Sequence, residues 1–423
     1  MVIVLAALLM PSVAVSQQPQ KRSGKRAVSS PFPAAAGIPA EYRSKNFVLH
    51  TDLSKAEAQA LLKRKETMLA QVTKYWGRPN PRPIVCIVAK NINDWPEAVV
   101  NRLDRRGVDM IRARGGLCIS KPVGTGVSYH INATVYATAE KNVPFHEAIH
   151  AYCRHAFGNV GPIWYAEGMA EVGHYWREND SAVAVHCPQY IAKYLRGSEP
   201  KTLRAIVNDQ QYNAADVGGW QHYAWRWALC HLLGTNTNYR KRFRPLGLGF
   251  LTKQKISFES VYGPMAREIS FEYLFFLKHV EPGYRVDLCS WDWKTPFSGL
   301  SHNVGGQRHT AATSRIKARC GWQASRLLVK NGQKYECSTK GQWKTSKKGA
   351  SINADGSKDG TGRLVGILFD DSFDYYVLSK PFELGAKGTF QAPDDGKLFL
   401  RCRDRWSEIA DNSGRITVRI KAD

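Results

Sequence analysis

The sequence predicts an α+β protein in three stretches: a sheet with helices on it, a mostly helical region, and an all-β C-terminal domain. Three observations predict this. Short apolar runs flank an amphipathic helix between Phe47 and Val135. Helical signals dominate from Val143 to about His279. Beyond residue 315, strand-like runs recur between turn residues, the spacing of a β-sandwich of about a hundred residues. A chain of 423 residues exceeds one small core, so two domains are expected.

The elements follow in order. Phe47-Val48-Leu49-His50 reads as a strand, and Ser54-x-x-Glu57 is a capping box that opens a helix. Its apolar positions Ala58, Leu61, Leu62, Met68, Leu69, Val72, Tyr75 and Trp76 recur at helical spacing until Gly77 and Pro79 stop it. Ile84–Val88, Gly116–Ile119 and Ile131–Val135 are further strands. The pattern changes near Glu281-Pro282-Gly283, and Trp291–Ser314 has the Gly, Ser, Asn and His content of a linker or long packed loop. Strands are then expected at Leu327–Val329, Tyr335–Cys337, Leu364–Leu368, Tyr375–Leu378, Lys397–Leu400 and Ile416–Ile420. The expected boundaries are 1–16, 17–40, 41–285, 286–315 and 316–423.

Residues 1–16 form an apolar run ending in Ala14-Val15-Ser16, which reads as a signal peptide without a basic n-region. Residues 17–40, rich in Gln, Ser, Pro and Ala with Lys21, Arg22, Lys25 and Arg26, are expected to be a disordered basic linker. No later stretch has the roughly 18 apolar residues of a membrane helix, so a secreted or cell-envelope protein without a transmembrane segment is expected. The nine cysteines include no C-x-x-C pair, which argues against a four-thiolate zinc site, and their odd number leaves at least one thiol unpaired within a monomer. The net charge of +24 excludes an acidic solvating chain and makes any polymeric partner anionic.

The chemistry lies in His146-Glu147-Ala148-Ile149-His150. On a helix, residues four apart share a face, so the two imidazoles can bind one metal ion while Glu147, about 100° round, flanks it. Sixteen residues separate His150 from Glu167 in the run Trp164-Tyr165-Ala166-Glu167-Gly168-Met169-Ala170-Glu171, long enough to turn the chain and return a second helix with a carboxylate ligand, Glu167. Three protein ligands leave a position open, as catalytic rather than structural zinc requires.

These residues resemble the gluzincin metallopeptidases, whose H-E-x-x-H is followed some twenty residues later by a Trp-x-x-Glu-Gly-x-Ala-Glu-like helix. The likeness spans roughly residues 45–280 and looks closest to a bacterial domain-of-unknown-function group of secreted proteases in that clan. It implies a zincin-like domain, Zn²⁺ on His146, His150 and Glu167, and Glu147 as the general base that activates a zinc-bound water. It also implies that Glu171 orients a ligand imidazole, and a peptide or protein as substrate. Gln221-His222-Tyr223 looks like the helix that presents a tyrosine to the oxyanion, with Tyr223 first and His222 second. The other reading of Glu171 is a solvated helix residue, and that of Tyr223 a core aromatic among Trp220, Trp225 and Trp227. His155 falls on another face and, like His174, reads as a bystander; Cys153 reads as a buried thiol or half-cystine.

In the C-terminal domain, Asp404, Glu408, Asp411 and Asn412 gather hard oxygens suited to Ca²⁺. The run ending Asp-Asn-Ser-Gly resembles the calcium-dependent galactose-binding bacterial lectin of β-sandwich fold, although Glu408 and Asp411 replace neutral residues and that lectin's His-Pro sugar contact has no clear counterpart. The likeness implies a lectin-like module that targets a glycan or surface; a polar loop with an Asx turn is the other reading. Basic residues cluster at Arg102, Arg105, Arg106, Arg112 and Arg114 and at Arg240, Lys241, Arg242 and Arg244. No nucleic-acid motif accompanies them, so no nucleic-acid partner is expected. Two other functions stay open: a catalytically silent metal-fold scaffold, and a protein that binds an anionic polymer.

Overall fold

The computed structural model describes residues 39–125, 129–140, 142–180, 184–208, 220–304 and 307–423, which belong to one compact unit. The expected signal peptide and all but the end of the expected basic linker lie outside the described residues. The protein is mixed α+β.

A five-stranded sheet opens the fold with β1 (Ala40–Arg43), β2 (Phe47–Thr51), β3 (Ile84–Ala89), β4 (Gly116–Val123) and β5 (His130–Thr138), in the order β1-β2-β3-β5-β4. Strands β2, β3 and β5 run parallel, and β1 and β4 are antiparallel edges. Every residue of β2 and β3 is buried, as parallel strands covered on both faces require. Between them α1 (Lys55–Trp76) starts on the expected capping box. The Ser54 N–H donates to Glu57 Oε2 at 2.9 Å, the Glu57 N–H donates to Ser54 Oγ at 3.4 Å, and Gly77 ends the helix.

Short α2 (Glu97–Val100) and α3 (Arg105–Arg112) precede β4, and α4 (Val143–Phe157) lies along β5. Then come α5 (Ile163–Tyr175), α6 (Gln189–Gly197), α7 (Leu203–Val207), α8 (Trp220–Thr235), α9 (Arg240–Leu251), α10 (Phe258–Tyr262), α11 (Ala266–His279) and α12 (Val286–Cys289). α5 packs between α4 and α8. Gly168 allows this, because a Cβ there would stand 2.5 Å from Cys230 Sγ and 2.6 Å from the Arg226 carbonyl oxygen. One hydrophobic core joins the sheet to these helices.

Strands β6 (Ser301–Val304) and β7 (Gln307–His309) pair with each other. The remaining strands are β8 (Ala311–Lys317), β9 (Gln323–Val329), β10 (Lys334–Lys344), β11 (Leu364–Asp370), β12 (Val377–Leu378), β13 (Phe382–Glu383), β14 (Lys387–Gln391), β15 (Gly396–Cys402) and β16 (Ser413–Ala422). They build two antiparallel sheets, β14-β10-β16-β8 and β12-β11-β15-β9, with β13 also on β11. The two sheets share a core that includes Ile316, Trp343, Leu364, Leu398 and Val418.

Strand β11 shows how this part meets the helices. Leu364 and Leu368 face the core between the sheets, while Val365, Ile367 and Phe369 join Phe275 of α11 and Trp291 in a separate cluster. Alternation by two thus buries both faces. Trp291 and the start of β8 fall within the expected 286–315 linker, which is therefore packed in place. Glu272 of α11 ties the same junction. Its buried carboxylate accepts from Asn236 Nδ2 (2.6 Å), Asn238 Nδ2 (3.0 Å), Tyr239 OH (2.7 Å), the Trp291 N–H (3.1 Å) and Trp293 Nε1 (2.7 Å).

None of the nine cysteines is joined to another. Cys86 and Cys118 both lie opposite Val135, one on each side of β5. Two strand spacings, about 9.5 Å, exceed what a disulfide spans. No helix among the described residues is long and apolar enough to cross a membrane.

Candidate metal centre

Helix α4 carries His146, Glu147 and His150 on successive turns, and α5, returning against it, carries Glu167 and Glu171. All five are buried. His146 Nε2 lies 3.2 Å from Glu167 Oε2 and 3.2 Å from His150 Nε2, and His150 Nε2 lies 3.3 Å from Glu167 Oε2. Three donor atoms thus form a nearly equilateral triangle. Donors held about 2.0–2.1 Å from a tetrahedral metal stand about 3.3–3.4 Å from one another. The residues therefore fit a tetrahedral cation such as Zn²⁺ in both donor type and spacing.

Charge points the same way. Two ring nitrogens and a carboxylate oxygen turned toward one another need a positive charge among them. Burial opposes a charged His146, but hydrogen bonding to Glu167 and then Glu171 raises its pKa well above the ordinary imidazole value. Burial likewise works against ionised Glu167, yet the His150 charge and the hydrogen bonds from His146 and His150 hold it well below the usual carboxylate range.

Glu171 accepts a hydrogen bond from His146 Nδ1 at 2.9 Å. This places that ring's proton on Nδ1 and leaves Nε2 free to bind metal. The sequence left open a solvated Glu171; the carboxylate is instead buried and bonded to the His146 imidazole. Its other oxygen lies 3.1 Å from His174 Nδ1, so His174, read as a bystander, belongs to this chain of contacts. The spacing of three between Glu171 and His174 on one helix was the available signal.

Glu147 lies against β4. A Cβ on Gly116 would stand 2.9 Å from Glu147 Oε1 and 2.5 Å from Val143 Cγ1, so only glycine lets this edge strand approach the carboxylate. Burial pushes the Glu147 pKa up, the two imidazoles oppose that, and Glu167 and Glu171 add to it. Beneath the helix, fully buried Lys65 of α1 donates to the Pro144 carbonyl oxygen at 2.7 Å, with its ammonium 4.9 Å from the Phe47 ring centre. Lys65 escaped the sequence reading, although it sits between Leu62 and Leu69 on the apolar stripe of α1.

Tyr223, on the first turn of α8, sets its ring edge-on to His146 with centres 5.7 Å apart. Burial, then the Glu167 charge, pushes its hydroxyl pKa up, so it remains a proton donor. His222, the second candidate, has its Nδ1 3.2 Å from Lys201 Nζ. His155 faces the sheet, where Nε2 accepts the Ala133 N–H at 2.9 Å. Cys153 is buried and outside the ligand set.

In the expected calcium loop, Asp404 Oδ2, Asp411 Oδ1 and Asn412 Oδ1 are buried without a hydrogen-bond partner. Asn412 Nδ2 lies 3.4 Å from the Ala318 carbonyl oxygen, and Asp404 Oδ1 accepts the Arg405 N–H at 2.7 Å. Among the described residues, Asp404, Glu408 and Asp411 do not come together as three carboxylates at metal-ligand spacing, and Glu408 stands in an ion pair instead. Its carboxylate is half exposed and pairs with Arg405 at 3.0 Å. The basic cluster between Arg102 and Arg114 is partly neutralised, Arg105 and Arg112 by Asp109, Arg106 by Asp104 and Arg114 by Glu140.

No protein-family model matches the chain, and no curated protein matches it significantly. Several solved structures share limited similarity, and two of them show its extent. One is the N-terminal domain of EclA, described as a PllA-like lectin, at 13% identity and a TM-score of 0.20 over 26% of this chain and 96% of that one. The other is a mutant of a functionally unknown conserved protein from Bacillus anthracis str. Ames, at 10% identity and a TM-score of 0.17 over 27% and 22%.

Proposed function

We propose that this chain is an exported zinc-dependent hydrolase, a metallopeptidase of gluzincin type with a zincin-like catalytic part and a lectin-like C-terminal part. The observation that carries the reading is the triangle of His146 Nε2, His150 Nε2 and Glu167 Oε2, with edges of 3.2, 3.2 and 3.3 Å, beside a buried glutamate that is not one of its corners.

His146, His150 and Glu167 would hold the metal, and Glu171 would keep His146 in the binding tautomer. When bound, Zn²⁺ supplies a Lewis acid and lowers the pKa of a water toward ~7. The Glu147 carboxylate takes the proton of the water as it attacks the carbonyl carbon and gives it to the amine nitrogen as the C–N bond breaks, so that neither hydroxide nor an amide anion has to form free in solution. The Tyr223 hydroxyl donates to the developing oxyanion, a contact typically worth about 10²–10³ in kcat. Gly116 keeps the flank of Glu147 narrow and backbone-lined. In the C-terminal part, the orphaned oxygens of Asp404, Asp411 and Asn412 support a Ca²⁺ site in a module that targets a glycan or surface.

Metal analysis of the purified protein, alongside digestion of proteome-derived peptides with and without chelator, tests this reading. Stoichiometric zinc and chelator-sensitive cleavage are expected; zinc-loaded protein that cuts no peptide or ester refutes the hydrolase.

A further inference from the structure

The outward face of the β14-β10-β16-β8 sheet carries a charge pattern that the chemistry above does not use. Along β16, Ile416, Val418 and Ile420 are buried in the core between the sheets, so Arg415, Thr417, Arg419 and Lys421 point outward. Register extends this face to the neighbouring strands. Arg415 stands opposite Lys317 of β8 and Gln342 of β10, and Thr417 opposite Arg315 and Lys340. Arg419 stands opposite Thr313 and Ser338, and Ser338 in turn opposite Lys387 of β14. These cations are all exposed. Glu336 is the one carboxylate at the outward positions of the four strands, and Lys421 takes it, with Nζ 2.6 Å from Oε2. Among the described residues the other cations named on this face are in no ion pair. The Arg102–Arg114 cluster, by contrast, is balanced by its own acids.

This arrangement works against folding. Arg415 and Lys317 stand directly opposite on adjacent strands, and like charges so placed destabilise a sheet. A solvent-facing strand position needs no charge, and a local rule broken without a compensating acid in the fold points to an anion outside it. We infer that this face binds an acidic polysaccharide. The inference rests on the reading of the C-terminal part as a targeting module and gives that module an anionic target; it needs neither the metal centre nor Ca²⁺. Three features select the occupant. Thr313, Thr417, Ser338 and Gln342 stand between the cations, and their hydroxyl and amide groups both donate and accept, as sugar hydroxyls require. Tyr335, Trp343 and Phe390, the aromatic residues of these strands, are buried in the core, so the face offers bases nothing to stack on and a bilayer nothing to insert. Strands about 4.8 Å apart, with side chains of one face about 6.8 Å apart along each, make a strip on the order of 15 Å wide. An extended single chain lies flat on such a strip and meets several rows of cations, whereas a DNA duplex, a convex cylinder, touches it along one line.

The test measures binding of the full chain to immobilised polygalacturonate and heparin, whose anions are carboxylates and sulfates, over a range of salt concentrations and with or without chelator. Neutral galactan, duplex DNA and phosphatidylserine vesicles are run alongside. One variant combines Lys340→Ser, Arg415→Ser and Arg419→Ser. A control removes the same charge from α1 through Lys55→Gln, Lys63→Gln and Lys74→Gln, and melting temperatures are compared throughout. An acidic polysaccharide is expected to bind with or without chelator and to be released by salt. The sheet variant should weaken binding by about tenfold and flatten its salt dependence, while the α1 variant changes it little. Equal losses in the two variants would trace binding to net charge and overturn the inference. Tighter binding of DNA or vesicles than of either acidic polysaccharide, lost in the sheet variant, overturns the choice of occupant. Chelator-sensitive binding of galactan that survives in the sheet variant keeps the targeting module and overturns the inference. Binding to no polysaccharide overturns both.

Discussion

Replacing Glu171 tests whether the buried carboxylate beside the donor triangle sets metal affinity. It accepts from His146 Nδ1 at 2.9 Å, a charge-assisted hydrogen bond in a buried site. Such bonds contribute roughly 1.5–3 kcal/mol, which converts to about a 10- to 150-fold change in an equilibrium constant. That range agrees with the 10–100-fold typical of groups that orient a ligand histidine. In Glu171→Ala, His146 can turn or place its proton on Nε2, and His174 Nδ1 loses the same acceptor. Glu171→Gln keeps a neutral amide oxygen for Nδ1 and should lose about fivefold. The assay is competitive zinc titration against a chromophoric chelator, with melting temperature of the metal-free proteins as the control for folding. The expected order of zinc affinity is wild type, Glu171→Gln, Glu171→Ala, Glu167→Ala, from tightest to weakest. Unchanged affinity in Glu171→Ala refutes the orienting role, and equal, negligible losses in Glu171→Ala and Glu167→Ala place the third ligand elsewhere.

Two further predictions concern regions away from the triangle. Burial, together with the charges of Arg82 and His130, lowers the His155 pKa to about 4 from an unfolded value near 6.5, and its Nε2 must stay unprotonated to accept the Ala133 N–H. The unfolded chain therefore takes up a proton that the folded one refuses. This part of the stability is complete above about pH 6.5 and is lost as pH falls toward about 4, by about 3 kcal/mol at most. Urea unfolding at several pH values should show a shallower acid loss in His155→Gln than in wild type; identical slopes would contradict it. Excess Ca²⁺ should raise the melting temperature of the full chain by mass action, and the rise should vanish in Asp404→Ala. No rise in wild type leaves Asp404, Asp411 and Asn412 as a polar loop.

What the sequence made legible followed from periodicity and local chemistry. The i, i+4 pair His146 and His150 shares a face on any helix, and the Ser54–Glu57 box needs only its own backbone, so both could be placed without tertiary knowledge. Glu167 and Glu171 needed one more inference, that the chain turns back, which the sixteen-residue interval allowed. Gly116 was not legible as part of the site, because its contact with Glu147 depends on which strand lies at the sheet edge. Lys65 was hidden by its charge, although its spacing from Leu62, Leu69 and Val72 marks a buried position. Trp291 and Trp293 read as linker by the composition around them, yet pack against α11 and β11 because both faces of that strand need covering. Strand β1 escaped because four residues with mixed burial carry no period long enough to read.

The central proposal, that Glu147 is the general base beside a zinc ion rather than a ligand or a structural carboxylate, is tested most directly by one set of variants. Glu147→Gln keeps the side chain's size and hydrogen bonding but removes the base. Zinc content, melting temperature and peptide hydrolysis are measured on wild type, Glu147→Gln and His146→Ala. The account predicts that Glu147→Gln holds near-stoichiometric zinc and melts like wild type while losing nearly all hydrolysis, and that His146→Ala loses both zinc and activity. Full hydrolysis by Glu147→Gln, or loss of zinc from it, would contradict the account.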